Sequence, residues 1–263
     1  MLGKRRGRLA ALAVAVMVIA TGATVAQAEL SAQGDLFVDF KGGIFPNALP
    51  RKARAPISVE FGGTVKTLSG ERPPALRGII LSLNRGGHID AHGLPTCRQA
   101  QIEPSTTRQA MQVCGPALVG EGYFTAKVAF PEQGSFPSEG RVLAFNSIVD
   151  GQRAILAQIY GTRPAPASRV IVFLIAQQGG TFGTTLSGSL PEALNKYGYL
   201  KSISLYLHRE FVYRGRRHSY LSANCSAPAG FPGATFPFAR AAMVFDDGRA
   251  LSTVLTRSCK VKE

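Results

Sequence analysis

Tryptophan is absent from this chain of 263 residues, and acidic residues are scarce, with 16 Asp and Glu against 30 Lys and Arg. Charged residues make up only 17% of the sequence and hydrophobic residues 45%, proportions that exclude an intrinsically disordered chain. The 29 glycines and 16 prolines follow no fixed period, which excludes collagen-like and low-complexity structure. What remains is a globular protein whose net charge of +14 favours association with anionic polymers or surfaces.

Motifs of the common enzyme classes are also missing. The sequence has no G-x-S-x-G, no H-E-x-x-H and no G-x-x-x-x-G-K pattern. Residues 179–189 are rich in Gly, Thr and Ser, but no helix pattern follows them, and a phosphate cradle needs the N-terminus of such a helix. We therefore expect this segment to form a loop and an exposed edge strand, and we expect no cofactor.

Residues 1–28 have the order of a secretory signal peptide. A basic cluster at residues 4–8 precedes an apolar run at residues 9–20 and the small-residue motif Ala26-Gln27-Ala28. The alternative is an uncleaved anchor over residues 9–25, which is shorter than the roughly 20 residues of a usual span. The longest later apolar run, residues 170–176, has the length of a buried strand. The sequence thus predicts cleavage after Ala28, a secreted or cell-envelope location, and no transmembrane segment afterwards.

Four cysteines follow the leader: Cys97, Cys114, Cys225 and Cys259. An even number of cysteines in an exported protein predicts disulfides, and four cysteines permit three pairings. We favour Cys97–Cys114 and Cys225–Cys259, because each joins near neighbours. Loop-closure entropy makes each bridge worth roughly 3–4 kcal/mol. A zinc site is disfavoured because there is no C-x-x-C spacing and no His within a few residues of any Cys.

The pattern along the chain after the leader is that of β-strands. Short runs rich in β-branched and aromatic residues are bounded by Gly or Pro, as in sandwiches and similar all-β folds. We predict strands at residues 57–61, 123–130, 141–149, 154–160, 169–176, 203–213, 239–245 and 250–256. The predicted class is therefore all-β, with a β-sandwich or jelly-roll-like arrangement.

Turn and helix signals complete this prediction. Asp150-Gly151 and Asp247-Gly248 each separate two strand runs and favour hairpins, because Gly tolerates the positive φ of primed turns. A third turn is expected at Arg214-Gly215. One short helix is predicted between Cys97 and Cys114, over residues 105–113, where a Ser/Thr cap, good helix formers and a Gly-Pro stop agree.

The sequence also contains an internal similarity. Residues 76–85 match residues 200–209 with five identities and one Arg/Lys exchange. We interpret the chain as a first β unit at 29–161, a stiff Pro/Ala linker at 162–168, and a related second β unit at 169–263. The alternative is chance, because Leu and Ile at every second position are common in strands. Whether the units are tandem domains or one fused fold stays open.

Basic and aromatic residues are interleaved over residues 208–220. Guanidinium groups in this setting bind phosphate, sulfate or carboxylate, and the rings supply a stacking surface. The candidate binding residues are Arg209, Arg214, Arg216, Arg217 and His218. The alternative is an ordinary solvent-facing hairpin whose charged tip blocks edge-to-edge aggregation.

A second candidate is the run from Gly87 to Gly93. On an extended strand, residues two apart share a face, so His88, Asp90 and His92 would point together and offer two imidazoles and a carboxylate to a metal. The alternative is a solvated turn, because the flanking glycines break a strand and the polar side chains then bond locally.

Several strings resemble a group of secreted bacterial proteins that share a leader and this cysteine layout. They are residues 93–97 (GLPTC), 102–107 (IEPSTT), 114–122 (CGPALVGEG), 143–146 (LAFN) and 154–162 (AILAQIYGT). The resemblance extends over nearly the whole chain after the leader. It implies export and a shared β architecture, and it carries no activity, cofactor or functional residue.

These observations favour an exported, disulfide-stabilised, non-catalytic protein that binds an anionic polymer or envelope surface through the basic hairpin. A smaller basic patch, Arg51, Lys52 and Arg54, is expected in a loop. Contact with nucleic acid would be weak and indifferent to sequence. The alternative function is a secreted hydrolase, possibly metal-dependent, whose site is assembled only in the fold.

Overall fold

The computed structural model describes residues 29–128, 134–192 and 196–262. The predicted leader at residues 1–28 lies outside this range. The strands are β1 Glu29–Gln33, β2 Leu36–Phe45, β3 Ala48–Pro50, β4 Ala55–Pro56, β5 Ser58–Thr67, β6 Leu76–Asn84, β7 Gly87–Ile89, β8 Leu118–Val128, β9 Phe136–Val149, β10 Gln152–Gly161, β11 Ala167–Gln177, β12 Phe182–Ser189, β13 Gly198–Leu207, β14 Glu210–Tyr213, β15 Arg216–Ser219, β16 Leu221–Ala223, β17 Gly233–Phe245 and β18 Ala250–Lys262. Two short helices, α1 Gln99–Ile102 and α2 Thr107–Cys114, precede a 3-10 turn at Gly115–Ala117.

Thirteen of these strands form one large sheet in the order β1-β2-β5-β13-β8-β9-β10-β11-β12-β6-β17-β18-β3. Neighbours are antiparallel except β18 and β3. The sheet curls until β1 lies beside β18, where Ser31 Oγ donates to the Ser252 carbonyl at 3.3 Å and Glu29 Oε1 accepts from the Thr256 amide at 2.9 Å. The all-β prediction is confirmed, with these thirteen strands in a single curled sheet, and the jelly-roll-like arrangement stays a prediction. Two smaller sheets, β14-β15 and β4-β16-β7, lie in the connections.

The inner face of the curled sheet holds the main core. On β2, the buried side chains of Leu36, Val38, Phe40 and Ile44 lie two or four residues apart. This spacing puts them on one face, because successive side chains of a strand point to opposite faces. Residues of β5, β10, β12 and β17 complete this core from the facing walls. The alternation that predicted strands from the sequence is therefore also what fills the interior.

The outer face of β9 and β10 is covered by the helices. Thr106 caps α2 by accepting a hydrogen bond from the Gln109 amide, in the segment where the sequence predicted a helix. The other helix, α1, has no clear signal in the sequence. The Gln158 amide on β10 donates to the carbonyls of Ile102 at 3.0 Å and Ser105 at 2.9 Å, which ties the connection between the helices to the sheet.

Each of the eight predicted strand runs overlaps an observed strand, and one run is divided between two strands. The run at 203–213 is divided into β13 and β14, because the chain leaves the large sheet at His208 and Arg209. The prediction of an exposed edge strand within 179–189 is wrong. β12 pairs with β11 on one side and β6 on the other, and Thr184 and Leu186 are buried.

The internal similarity corresponds to equivalent positions in the sheet. β6 lies between β12 and β17, and β13 lies between β5 and β8. The similarity aligns Leu83 with Leu207. Leu83 pairs with Ala239 of β17, and Leu207 pairs with Gly120 of β8. From these pairs back to residues 79 and 203, the two ladders advance in the same register. The set β5-β13-β8-β9 is thus matched by the set β12-β6-β17-β18. Each half of the chain contributes one strand, β6 or β13, to the other half's set.

Strands from both halves therefore share one sheet. The segment at 162–168 leads from β10 into β11, and these two strands pair directly, with Gly161 opposite Ala167. The interpretation of residues 29–161 and 169–263 as two related units stays a prediction.

Tyr220 is fully buried, and its hydroxyl has no hydrogen-bond partner within the described residues. An unpaired buried hydroxyl costs roughly 1–3 kcal/mol, so we expect Tyr220→Phe to raise the free energy of unfolding by about 1 kcal/mol. Urea unfolding measures this, with Tyr123→Phe at an exposed position as the control. A stability loss in Tyr220→Phe, as for a hydrogen-bonded tyrosine, would contradict the prediction.

The same residue gives an expected pH dependence. Burial raises the pKa of Tyr220 above its usual range, and the nearby Arg153 charge opposes this only in part. The unfolded chain therefore loses the Tyr220 proton first, and stability falls as pH rises above about 10, the ordinary tyrosine pKa. Tyr220→Phe should show a smaller alkaline loss than the wild type in the same urea series.

Candidate functional site

The long connections lie at one end of the curled sheet. β6 and β13 run in the same direction, because an even number of antiparallel steps separates them in the strand order. The connections that follow them, residues 85–117 and 208–232, therefore leave the sheet at the same end, together with residues 46–57. We call this the loop end. It contains all the candidate residues that the sequence identified.

β14 and β15 form the predicted hairpin, and the turn at Arg214-Gly215 is confirmed. Its two residues have φ of 50° and 73°, the left-handed values that a primed two-residue turn requires. Phe211 lies opposite His218, and their rings stack with centroids 5.5 Å apart. The Arg214 guanidinium lies 5.2 Å from the centre of the Tyr213 ring. One face of the hairpin is therefore aromatic.

This aromatic face packs on the loop that contains the second candidate. The His92 and Tyr213 rings meet edge to face, with centroids 5.1 Å apart. Gly93 has φ of +80°, and a β-carbon there would lie 2.2 Å from Tyr213 Cδ2, so only glycine fits beneath the ring. His218 Nδ1 lies 4.0 Å from Asp90 Oδ2. The two candidate segments, residues 208–220 and 87–93, are thus in contact.

The tip of the hairpin carries three exposed cations. Arg214, Arg216 and Arg217 are exposed, and none of them pairs with a carboxylate within the described residues. Glu210, the one acid of this hairpin, stands at the opposite end, across from Ser219. Exposed, unpaired guanidinium groups keep their donors available for an external anion.

Arg209 stands at the base of the hairpin rather than at the tip. It is half-buried, and its terminal nitrogen donates to the Pro116 carbonyl at 3.4 Å. Its Nε is buried without a partner in the described part of the chain. Of the predicted binding residues, the structure brings Arg214, Arg216 and Arg217 together at the tip, while Arg209 and His218 belong to the hairpin's base and packed face.

His88, Asp90 and His92 do not share one face. Asp90 Oδ1 accepts from the His92 amide at 2.9 Å, the local turn bond of the alternative interpretation. His88 stands across from Ser222 in the small sheet, and burial, with the Arg54 and Arg153 charges, lowers its pKa. Among residues 29–128, 134–192 and 196–262, no group of three or more His, Cys, Asp or Glu side chains is placed to hold a metal ion.

Both predicted disulfides are formed, and no cysteine is free. Cys97–Cys114 closes the helical segment at the loop end. Cys225–Cys259 joins the chain after β16 to β18, and the Cys225 amide donates to the Pro50 carbonyl at 2.9 Å. The two bridges therefore fix the connections on which the hairpin and the small sheet are mounted.

Arg51 of the smaller basic patch has a structural role. Its guanidinium donates to the carbonyls of Ala227 at 2.6 Å and Phe231 at 3.0 Å, and also to that of Pro228. These bonds hold the turn at residues 227–231, so its donors are not free for a ligand. Lys52 and Arg54 stay exposed.

The contact of Tyr213 with Gly93, which brings the hairpin onto the loop at residues 90–93, was not predicted from the sequence. The available signals were an isolated glycine at the end of a polar run and an aromatic residue beside a turn, and neither signal specifies a contact between distant segments.

No family model, no curated protein and no solved structure matches this chain. None of the helices within the described residues has the length and apolar character needed to cross a membrane.

Proposed function

We propose that this protein is an exported, non-catalytic binding protein that holds an anionic polymer of the cell envelope or its surroundings at the hairpin tip. The observation that carries the proposal is the set of three exposed guanidinium groups of Arg214, Arg216 and Arg217. They have no carboxylate partner in the described chain, and they lie at the tip of a hairpin whose Tyr213 ring packs on His92.

Rigidity of the hairpin supports this proposal. Contacts of Tyr213 with His92 and Gly93 hold the β14-β15 sheet on the loop end, and the stacking of Phe211 on His218 joins the two strands of the hairpin. A preformed array of donors loses less conformational entropy on binding than flexible side chains on a mobile loop. Repeated phosphate, sulfate or carboxylate groups would match an array of guanidinium forks.

Overall charge and the oxidised cysteines support the same proposal. The net charge is +14 for the whole chain and +10 after the predicted leader, which holds four cations and no acid, is removed. This charge steers a polyanion toward the protein, although it does not select the site of contact. Four cysteines in two bridges are typical of proteins that fold in an oxidising compartment.

A charge-matched substitution tests the site. We expect Arg214→Gln/Arg216→Gln/Arg217→Gln to weaken binding to phosphocellulose by at least about tenfold, a loss of about 1.4 kcal/mol. The control is Lys66→Gln/Arg77→Gln/Lys260→Gln, which removes three exposed charges from β5, β6 and β18. This control should lose much less, because only long-range attraction is reduced. Equal losses in the two variants, measured at one salt concentration, would refute a specific site at the tip.

A further inference from the structure

A cavity of about 450 Å³ opens at the loop end, between the small sheet β4-β16-β7 and the inner face of the curled sheet. Its volume falls within the roughly 300–1,000 Å³ of typical small-molecule sites. The hairpin tip does not line it. The cavity is thus a second feature of this end, separate from the proposed polyanion site.

The walls of this cavity are mainly apolar. They are formed by Ile44, Ile57, Val59, Leu83, Leu221, Phe236 and Phe238. A second cavity of about 120 Å³ continues into the interior, and Val59, Leu83, Ile89 and Leu221 line both. The lining of this deeper space is almost wholly apolar, so the cavity becomes less polar with depth. Such a space takes an apolar chain, because burial of the chain removes its surface from water.

The outer part of the cavity carries polar groups. A β-carbon on Gly86 would lie 3.2 Å from Asn84 Oδ1 and 3.3 Å from Asn224 Oδ1, so both amide oxygens approach this glycine. Asn84 is held by its bonds to the Pro237 carbonyl and the Gly86 amide, and Asn224 by its bond to the Arg51 carbonyl. Asn224 Nδ2 also donates to Ser226 Oγ at 2.9 Å, so its amide hydrogens are engaged, and the two side chains shape the rim rather than donate to an anionic head.

The mouth is also cationic. Arg85 lines the cavity and is exposed, and no carboxylate within the described residues pairs with it. His88 lines the same rim, and the charges of Arg54 and Arg153 act on its imidazole against the opposite effect of the Asp90 carboxylate. Among the described residues that line the cavity, none is Asp or Glu. A ligand that enters chain-first would leave its polar head in this positive field.

We propose that the cavity binds a small amphiphile with one apolar chain and one anionic head, either a carboxylate or a phosphate. The chain lies between β5, β6 and β17 and points toward the deeper cavity, and the head remains at Arg85. This site goes beyond the polyanion contact, since it selects for apolar length and is formed by different residues.

Binding of three probes tests the ligand class: dodecanoate, dodecyl phosphate and dodecyltrimethylammonium, each below its micelle-forming concentration and followed by calorimetry. We expect at least one of the two anionic probes to bind at least about tenfold tighter than the cation of the same chain length, and the two anions distinguish the head groups. Absence of binding by both anions, or equal binding of the cation, would overturn the proposal.

Two variants locate the site. Ala234 lines the cavity from β17, and we expect Ala234→Phe to weaken binding of the anionic probe at least about tenfold by filling it. Ala242→Phe, on the same strand but outside the cavity lining, is the control. Undiminished binding by a folded Ala234→Phe protein would overturn the proposal.

A third variant, Arg85→Gln, changes the charge at the mouth without changing the packing of the core. Arg85 is exposed, so Arg85→Gln should fold normally, weaken the anionic probe by about threefold or more, and leave dodecanol unchanged. Arg77→Gln, an exposed position on β6, should change neither. Equal effects of Arg85→Gln and Arg77→Gln on the anionic probe would contradict a head-group contact at the mouth.

Discussion

Replacement of Gly122 by alanine is expected to unfold the protein or to lower its free energy of unfolding by at least about 3 kcal/mol. Gly122 lies in β8 opposite Leu205 of β13, and a β-carbon there would be 1.9 Å from the carbonyl oxygen of Ser204. The obstacle is backbone, so relief requires that β8 and β13 separate and lose ladder hydrogen bonds. At this pair, β13 from the second half of the chain lies beside β8 from the first half.

Gly43→Ala is the matched control for this prediction. Gly43 is also within a strand, but a β-carbon there would meet only the Phe45 ring, at 3.7 Å, an ordinary contact. We expect a change near zero or a small gain, because alanine restricts the unfolded chain. Thermal and urea unfolding measure both variants. Similar stability of the Gly122→Ala and Gly43→Ala proteins would refute the close approach of β8 and β13.

Removal of the Cys225–Cys259 bridge is expected to lower the free energy of unfolding by about 4 kcal/mol. The two cysteines are 34 residues apart, and opening their loop restores conformational entropy to the unfolded chain. Against a typical total stability of roughly 5–15 kcal/mol, this loss is large. The bridge also fixes the chain between β16 and β17, so the mouth of the cavity should loosen first.

Urea unfolding of Cys225→Ala/Cys259→Ala tests this, with Cys97→Ala/Cys114→Ala for comparison. The second bridge spans 17 residues, so its removal should cost less, about 3 kcal/mol. Unfolding free energies within error of the wild type for both variants would contradict a stabilising role and weaken the argument for folding in an oxidising compartment.

Short-range signals predicted the local structure well. Asp150 and Gly151 have positive φ, as a primed hairpin turn requires, and the Thr106 cap with its following residues begins α2. The two disulfides joined the nearest cysteines, as loop entropy favours. Each of these features depends on residues that are close in sequence, where propensity and geometry act directly.

Strand partners were not predictable in the same way. Alternation shows which face of a strand is buried, but it does not say which strand lies beside it. β6 lies between β12 and β17, and β13 lies between β5 and β8. These positions, and that of β12 inside the sheet, depend on long-range packing. For this reason residues 179–189 were wrongly expected at an edge.

The candidate site shows the same limit. The hairpin and its arginine tip followed from local sequence, whereas its contact with residues 90–93 joins segments more than a hundred residues apart in the chain. Arg51 had the sequence features of a surface cation, yet three carbonyls of the 227–231 turn accept its donors. Composition does not distinguish a free guanidinium from one that is already engaged.

Amide hydrogen exchange with and without inorganic polyphosphate tests the central claim most directly. If the hairpin tip is the binding site, exchange should slow most in residues 209–219 and in the supporting loop at 90–93, and little in strands β5 and β18 of the large sheet. Protection spread evenly over the basic surface, or centred on Lys127, Arg163 and Arg169 at the opposite end, would contradict the account.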